Sequence, residues 1–563
     1  MSTIQQYYDY SQLSLTAYAI DLKVGILTNT SGLVLNKAGL TDQQITALNT
    51  DGWQVVGQSS DAMYGSSGFS ATLFKNTQTG EYVFANRGTE PEVNDLAYAD
   101  AWGIVIQGMA SSQIIDMYRF YKQLITPQGQ HVVYSVDELN ALIAIKSYYS
   151  NSSITDVSAV FDLTQNDLGV GGLSVNQAFT TTGHSLGGHL SLWLDKLVPA
   201  VSHVYTCNGA GNGGFFQSAV TTVAGALTGT PFSLSPDSGT TNVFGYGGPA
   251  IISGVGGNVG ANIPVDIEFK DPIDSVLSGL YNHSIVQLTD AMAVVNLFNK
   301  LDAGITTERF NDLFLKGSNE IGLSLEGLLD GLRSFFGKTD STPNDNRDQF
   351  YINLYDLQNS TAFKNLIGQV TLTTPPTSAN EARNDFGAFL SLVHLTPFAL
   401  NANSIEAMVH LQTDSLANTE LALQWEQDNS LTPEQRASGQ GHYSDVWLND
   451  RAQMLSHLLQ RNHDDTPFAK SIPINQIFED YALPGVLDGT HLILTGPEIL
   501  AENSRQIIFG DDNANIDITG GNKNDHLYGG GGDDLVTGGK GNDYLEGGTG
   551  SDIYAFIAGD GMD

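Results

Sequence analysis

Gly183-His184-Ser185-Leu186-Gly187-Gly188 is the stretch of this chain best suited to covalent chemistry. A serine hydroxyl becomes a nucleophile when a base takes its proton and fixed donors receive the charge that develops on an acyl oxygen. Because a G-x-S-x-G string arises easily in a chain rich in Gly and Ser, the flanks decide its meaning. The β-prone run Ala178 to Thr182 precedes it, and the helical run His189 to Val198 follows it and stops at Pro199. Strand, sharp turn and helix in that order would present the serine on a tight turn, with a helix N-terminus that favours negative charge. Ser185 is the expected nucleophile. His184 should point away from the attacking face and His189 lies a turn down the helix, so neither suits the role of base.

A second pattern points to a cation. From Gly520 the chain repeats every nine residues through four units, with Gly at positions one and two, Asp at position six and Leu527, Val536, Leu545 and Tyr554 at position eight. This is the nonapeptide of a calcium-binding parallel β-roll. Asp525, Asp534, Asp543 and Asp552, with the turn backbone at Gly529, Gly531, Gly538 and Gly541, supply the oxygens that a hard cation prefers. In a stacked roll the four carboxylates should line up in columns whose repulsion bound calcium offsets. The stretch Asp511 to Thr519 keeps Ile518 in phase but has Ile516 where Asp is expected, as in a degenerate cap.

These two sites must be carried by a large chain. At 563 residues more than one domain is expected. The 24 Lys and Arg against 61 Asp and Glu leave a net charge of −37, which would repel a phosphate backbone and excludes nucleic acid as a partner. An apolar fraction of 41% supports a sizeable core. The single cysteine, Cys207, excludes an internal disulfide and reads as a buried strand residue. There is no N-terminal basic stretch followed by an apolar run, and no apolar segment of membrane-spanning length. Residues 1–300 alternate β-prone runs (Tyr82 to Asn86, His203 to Thr206, Val265 to Phe269) with helical ones, the rhythm of an α/β sheet. Residues 301–503 are mostly helical, for example Ile321 to Phe336, Glu381 to Leu395 and Tyr443 to Arg461. Residues 504–563 form the repeat segment.

The elbow Gly183 to Gly188 resembles that of the class 3 lipases and of the RTX-type lipases and phospholipases exported by type I systems. Tyr82 to Asn86 running into Arg87-Gly88-Thr89 is similar to that family's strand and R-G-[ST] turn, and the stretch Asn94 to Asp100 is similar as well. The resemblance implies an α/β-hydrolase fold in which Thr89 and the amide of Leu186 receive the oxyanion. Triad order in this fold is Ser, acid, His. Asp271, before Pro272 and after a β-prone run, resembles the family's acid, with Asp237, Asp266 and Asp274 behind it; Asp195 falls within the elbow helix. His283, just before the helical run Ile285 to Phe298, is the expected base, and His442 in a Gly-rich loop is its main rival ahead of His394 and His410.

The expectation is a secreted serine ester hydrolase acting on triacylglycerols or phospholipids, with structural calcium in the roll and export by type I machinery. The final residues, Tyr554 to Asp563, look like the start of a further roll segment, so the export signal is expected beyond them. The stretches Ala219 to Phe232 and Ile251 to Val259 are lid candidates. A calcium-dependent structural or adhesive protein, or a serine peptidase or acyltransferase using the same triad, are the alternatives.

Overall fold

The structure, a computed structural model, describes residues 3–29, 34–59, 67–88, 98–150, 166–209, 214–228, 233–246, 260–268, 283–317, 324–344, 346–464, 466–483, 491–497, 503–513 and 518–561. Thr89, Asp271 and Asp274, the lid candidate Ile251 to Val259 and most of the acidic stretch Asn94 to Asp100 lie outside them. The chain divides into two compact units, Met1–Asn296 and Leu297–Asp563, so the helical and repeat segments fall within one unit.

The first unit is built on one eight-stranded sheet in which strands follow each other in chain order: β1 (Gly25–Ile26), β2 (Trp53–Gln58), β3 (Ala71–Asn76), β4 (Tyr82–Asn86), β5 (Phe179–His184), β6 (Val201–Cys207), β7 (Thr240–Tyr246) and β8 (Ala261–Asp266). β1 to β4 pair antiparallel, and β4 to β8 pair parallel. Parallel strands need crossover helices and are covered on both faces. α1 (Thr3–Thr16) packs against β4, β5 and β6. One core joins α2 (Tyr98–Ile125), α3 (Val136–Ser150), α4 (Leu186–Leu197) and α5 (Gly214–Ala226) to the sheet through Phe84, Phe120, Phe179, Leu190, Trp193 and Phe216. All six residues of β5 are buried, and its threonines are satisfied locally: Thr181 Oγ1 donates to Phe84 O at 3.0 Å, and Thr182 pairs with Ser14 at 2.8 Å.

The strand expected over Val265 to Phe269 lies earlier. Its span is set by register with β7, from Thr241↔Ala261 to Tyr246↔Asp266, and not by the β-prone residues that follow. α6 (Ile285–Leu301) starts as the pattern indicated. Helix Glu381 to Leu395 is in fact two helices, Ala379–Asn384 and Phe386–Val393, because Asp385 caps the second by accepting from Ala388 N at 2.8 Å. Ser324, Ser360, Ser404, Ser415 and Ser444 start other helices of this unit in the same way.

In the helical segment β9 (Val370–Thr373) pairs antiparallel with β10 (Ala399–Ala402), and at the repeats two further sheets form. One runs β12 (Leu492–Thr495), β11 (Gln476–Asp480), β13 (Arg505–Phe509), β15 (His526–Tyr528), β17 (Tyr544–Glu546); the other runs β14 (Ile518–Thr519), β16 (Leu535–Thr537), β18 (Ile553–Ala555). From β11 to β13 onward, and throughout the second sheet, pairing is parallel. Position-eight residues Leu527, Val536 and Leu545 pack with Ile508 and Ile518 between the sheets.

Candidate active site

β5 ends at His184 and α4 begins at Leu186, so Ser185 alone makes the turn, at φ 55° and ψ −125°. A side chain at positive φ in such a turn stores about 1–3 kcal/mol of strain. The surrounding glycines explain why the turn closes. A Cβ on Gly183 would stand 2.3 Å from the Gly187 carbonyl, one on Gly187 2.3 Å from Asn86 O, and one on Gly88 2.4 Å from His184 O. The elbow is therefore wedged against the end of β4, and Gly88, next to Thr89, lies 3.2 Å (from its ideal Cβ position) from Ser185 Cβ. Asn86 is fully buried and ties strand to helix, its Nδ2 donating to Ser191 Oγ at 3.0 Å and to Thr181 Oγ1 at 3.3 Å.

Ser185 is buried and its hydroxyl makes no cap to α4. Its backbone N donates to Cys207 O at 3.1 Å. Leu186 occupies the first helical position, where the amide has no intrahelical acceptor, so helix geometry alone leaves it available to a developing oxyanion.

His283 lies beside this turn. Its ring centroid is 4.8 Å from that of His184, and its carbonyl receives two hydrogen bonds, from His184 Nε2 at 2.7 Å and Asn208 Nδ2 at 3.1 Å. Both ring nitrogens are buried and unpartnered among the described residues, the Ser185 hydroxyl included. Burial, with His184 second, pushes the imidazole well below its ordinary pKa. His184 itself is held down at about 4 by burial. His189 is buried, with its Nε2 2.6 Å from Tyr149 OH.

Of the carboxylates considered as the acid, two are removed by position. Asp195 is ten residues along α4 from Ser185, about 15 Å at helical rise, and accepts from Ser238 N. Asp237 is engaged by Lys196 near the same end of α4. Asp266 ends β8 beside Tyr246 of β7, is buried, and its carboxyl is raised to about 6 by burial. The rival bases belong to the second unit: His442 stands at Asp428, His410 is bonded to Asp414, and His394 packs edge-on against Phe335. Cys207 is buried at the end of β6 and its thiol is pushed up to about 12 by burial.

In the repeats the carboxylates stack in two columns of two. Successive nonapeptides feed opposite sheets, so the stacking neighbour is 18 residues away: Asp525 N donates to Asp543 Oδ1 at 2.8 Å, and Asp534 N to Asp552 Oδ1 at 3.1 Å. The turns are lined by oxygen where a side chain would otherwise stand. A Cβ on Gly529 would meet Gly547 O at 2.3 Å and Asp534 Oδ2 at 2.6 Å; on Gly538, Asp543 Oδ2 at 2.5 Å; on Gly541, at φ 141°, Lys523 O at 2.2 Å and Asp543 Oδ1 at 2.8 Å. Gly531 backs onto Asp512 and donates to Asp511 O at 2.8 Å. Burial, and then Asp543, raise the Asp525 carboxyl. Among the described residues no three His, Cys, Asp or Glu side chains gather as a metal site. A mixed set of carboxylates and main-chain carbonyls fits calcium and does not fit a transition metal.

Residues 519–554 match the RTX calcium-binding nonapeptide repeat, in four copies. No curated protein sequence matches the chain. Among solved structures, Lip2 lipase from Yarrowia lipolytica aligns at 14% identity over 48% of this chain and 82% of its own, with a TM-score of 0.23. Lipase II from Rhizopus niveus aligns at 13% identity over 45% and 74%, with a TM-score of 0.21. Likenesses this weak decide nothing about activity, and the chemistry rests on the geometry above. No described helix is long and apolar enough to cross a membrane.

Proposed function

We propose that the chain is a serine ester hydrolase acting on lipid esters, triacylglycerol or phospholipid, with Ser185, His283 and Asp271 as its triad. The observation that carries this reading is the backbone of Ser185: a buried, uncapped serine held at φ 55° and ψ −125° between a parallel strand and a helix, a strained conformation for a side chain and the one a nucleophile elbow requires. His283 supports it, since a buried imidazole whose two nitrogens have no partner among the described residues suits a group that must bridge a nucleophile and an acid.

Ser185 Oγ attacks the acyl carbonyl while His283 takes its proton, and the charge on the acyl oxygen is received by the Leu186 amide and Thr89. His283 returns the proton to the leaving alcohol, an acyl-serine remains, and water activated by the same imidazole releases the acid. Asp271 holds the imidazole; Asp266, at the end of β8, is the alternative for that role. In the repeats, the Asp525–Asp543 and Asp534–Asp552 pairs with the turn carbonyls would hold calcium, which supplies charge compensation to a β-roll and takes no part in ester cleavage. Such repeats go with export by type I machinery and an extracellular site of action.

Fluorophosphonate labelling with peptide mapping, alongside assays on emulsified triglyceride, phospholipid vesicles and casein, tests the reading. Label on Ser185, hydrolysis of one of the lipids and loss of about a thousandfold or more in Ser185→Ala are expected. Absence of label points to the structural or adhesive alternative, and cleavage of casein alone to a peptidase.

A further inference from the structure

The elbow carries a second histidine that the triad does not use. His184 is buried, yet each of its ring nitrogens has a polar partner: Nδ1 stands 2.7 Å from Tyr18 OH and Nε2 2.7 Å from the carbonyl of His283. The carbonyl can only accept, so Nε2 carries the proton. The ring is neutral, so Nδ1 is the acceptor and Tyr18 OH the donor. The phenol of Tyr18, just past α1, thereby fixes the tautomer that lets His184 reach across to His283.

Asn208 supplies the second donor to the same carbonyl and is itself fixed. It follows β6 at φ 47°, its N donates to Val243 O at 2.9 Å, and its Oδ1 accepts from Gly245 N at 2.8 Å. The main chain of His283 is thus tied to the ends of β5, β6 and β7 by two hydrogen bonds, while its ring nitrogens have no partner among the described residues.

We propose that Tyr18 and His184 form a positioning relay that holds the main chain of His283 so that its imidazole stays beside Ser185. The proposal rests on reading His283 as the base. Without the Tyr18 hydroxyl, the His184 proton can move to Nδ1, which turns the Nε2 lone pair toward the carbonyl it should bond and releases that side of the loop. Among the described residues the titratable groups facing His283 are His184 and, through it, Tyr18. An imidazole freed from this burial regains water, and its pKa rises toward the ordinary histidine value.

The test uses the full calcium-loaded chain and a soluble ester. Tyr18→Phe, which keeps the ring, should lower kcat by about tenfold with KM little changed and move the acid limb of the kcat profile to higher pH. His184→Gln keeps an N–H near the Nε2 position and should retain most of kcat, whereas His184→Asn, whose amide falls short, should match Tyr18→Phe or be worse. Thermal melting of each variant separates these effects from unfolding. If His283→Ala is inactive while Tyr18→Phe and His184→Asn, both folded, keep kcat and the acid limb of the native chain, the relay is refuted and the base stands. If folded His283→Ala retains activity, it is the base assignment that fails.

Discussion

Replacing Ser185 by glycine should leave the protein at least as stable as replacing it by alanine, although both variants are inactive. At a buried position with ordinary backbone angles, alanine to glycine loses roughly 0.5–1 kcal/mol through the freedom of the unfolded chain, and about 0.8 kcal/mol more for the buried carbon. The sum is about 1.3–1.8 kcal/mol. At residue 185 the φ of 55° adds an opposing contribution, since glycine alone of the two relieves about 1–3 kcal/mol of strain. With central values the glycine variant comes out ahead by about 0.5 kcal/mol. Ala85, fully buried in the neighbouring β4, provides the control, and Ala85→Gly should show the ordinary loss. Urea unfolding at fixed calcium measures all three differences. A glycine variant less stable than the alanine variant by more than about 1 kcal/mol would mean that the turn is unstrained, and the main argument for a nucleophile would go with it.

Gly187→Ala forces a methyl to 2.3 Å from Asn86 O, a backbone atom that cannot step aside, so a loss at or above the upper end of the roughly 1–3 kcal/mol typical of overpacking is expected in melting, with activity lost by displacement of α4. Asp271→Asn should lower kcat severely and Asp266→Asn little; the reverse result moves the acid to the end of β8. In calcium-free buffer the repeats should gain order as pH falls. The Asp525 carboxyl is raised in the folded state, chiefly by burial and then by Asp543, so its penalty is absent below the unfolded carboxylate pKa and grows as pH rises through the folded value. Hydrogen exchange at β15 and β17 should therefore show acid standing in for calcium, and protection that is the same at pH 4 and pH 7 without calcium would contradict this. Gly541→Ala, which fills the space beside Lys523 O and Asp543, should weaken the calcium response of those same amides.

What could be read from the sequence was whatever had a local cause. The strand, turn and helix around Ser185 follow from a β-prone run, a Gly-rich turn and a helical run broken by proline, and β5 and α4 occur as expected. His283 just before α6 followed from the start of a helical pattern. The repeat phase accounts for the position-eight core at Leu527, Val536 and Leu545, though Tyr554 at the same position is exposed, and it did not reveal the alternation between two sheets, since a nine-residue period does not say that the stacking step is twice as long. Nor did it reveal the contacts of His184. That residue was expected only to point away from the attacking face, and its partners Tyr18 and His283 lie 166 and 99 residues away in the chain. The span of β8 was misjudged for the same reason, because its partner strand and not its own composition sets its limits.

The two repeat sheets carry different side chains at positions seven and nine, and this bears on what calcium can do. On β15 and β17 these are His526, Tyr528, Tyr544 and Glu546; on β16 and β18 they are Leu535, Thr537, Ile553 and Ala555. The first set meets the helix Asp445–His463 and its cap. His526 Nδ1 lies 2.5 Å from Asp450 Oδ2, Tyr528 OH donates to the same oxygen at 2.7 Å, and Ser444 Oγ donates to Glu546 Oε2 at 2.6 Å. Phe509 on β13 stacks on Tyr528 and meets Trp447 of the helix edge-on. A free-standing roll would keep such outward positions polar and solvated; here one side is an interface within the second unit, while Ile553 on the other sheet is exposed. The turns that set the spacing of β15 and β17 are the ones lined by the Asp525 and Asp543 carboxylates, so the register of this interface depends on how those charges are compensated. On the proposed reading, in which calcium orders the repeats, the ion would also order the face on which the helix is seated, and so would be coupled to the helical part of the chain as well as to the roll.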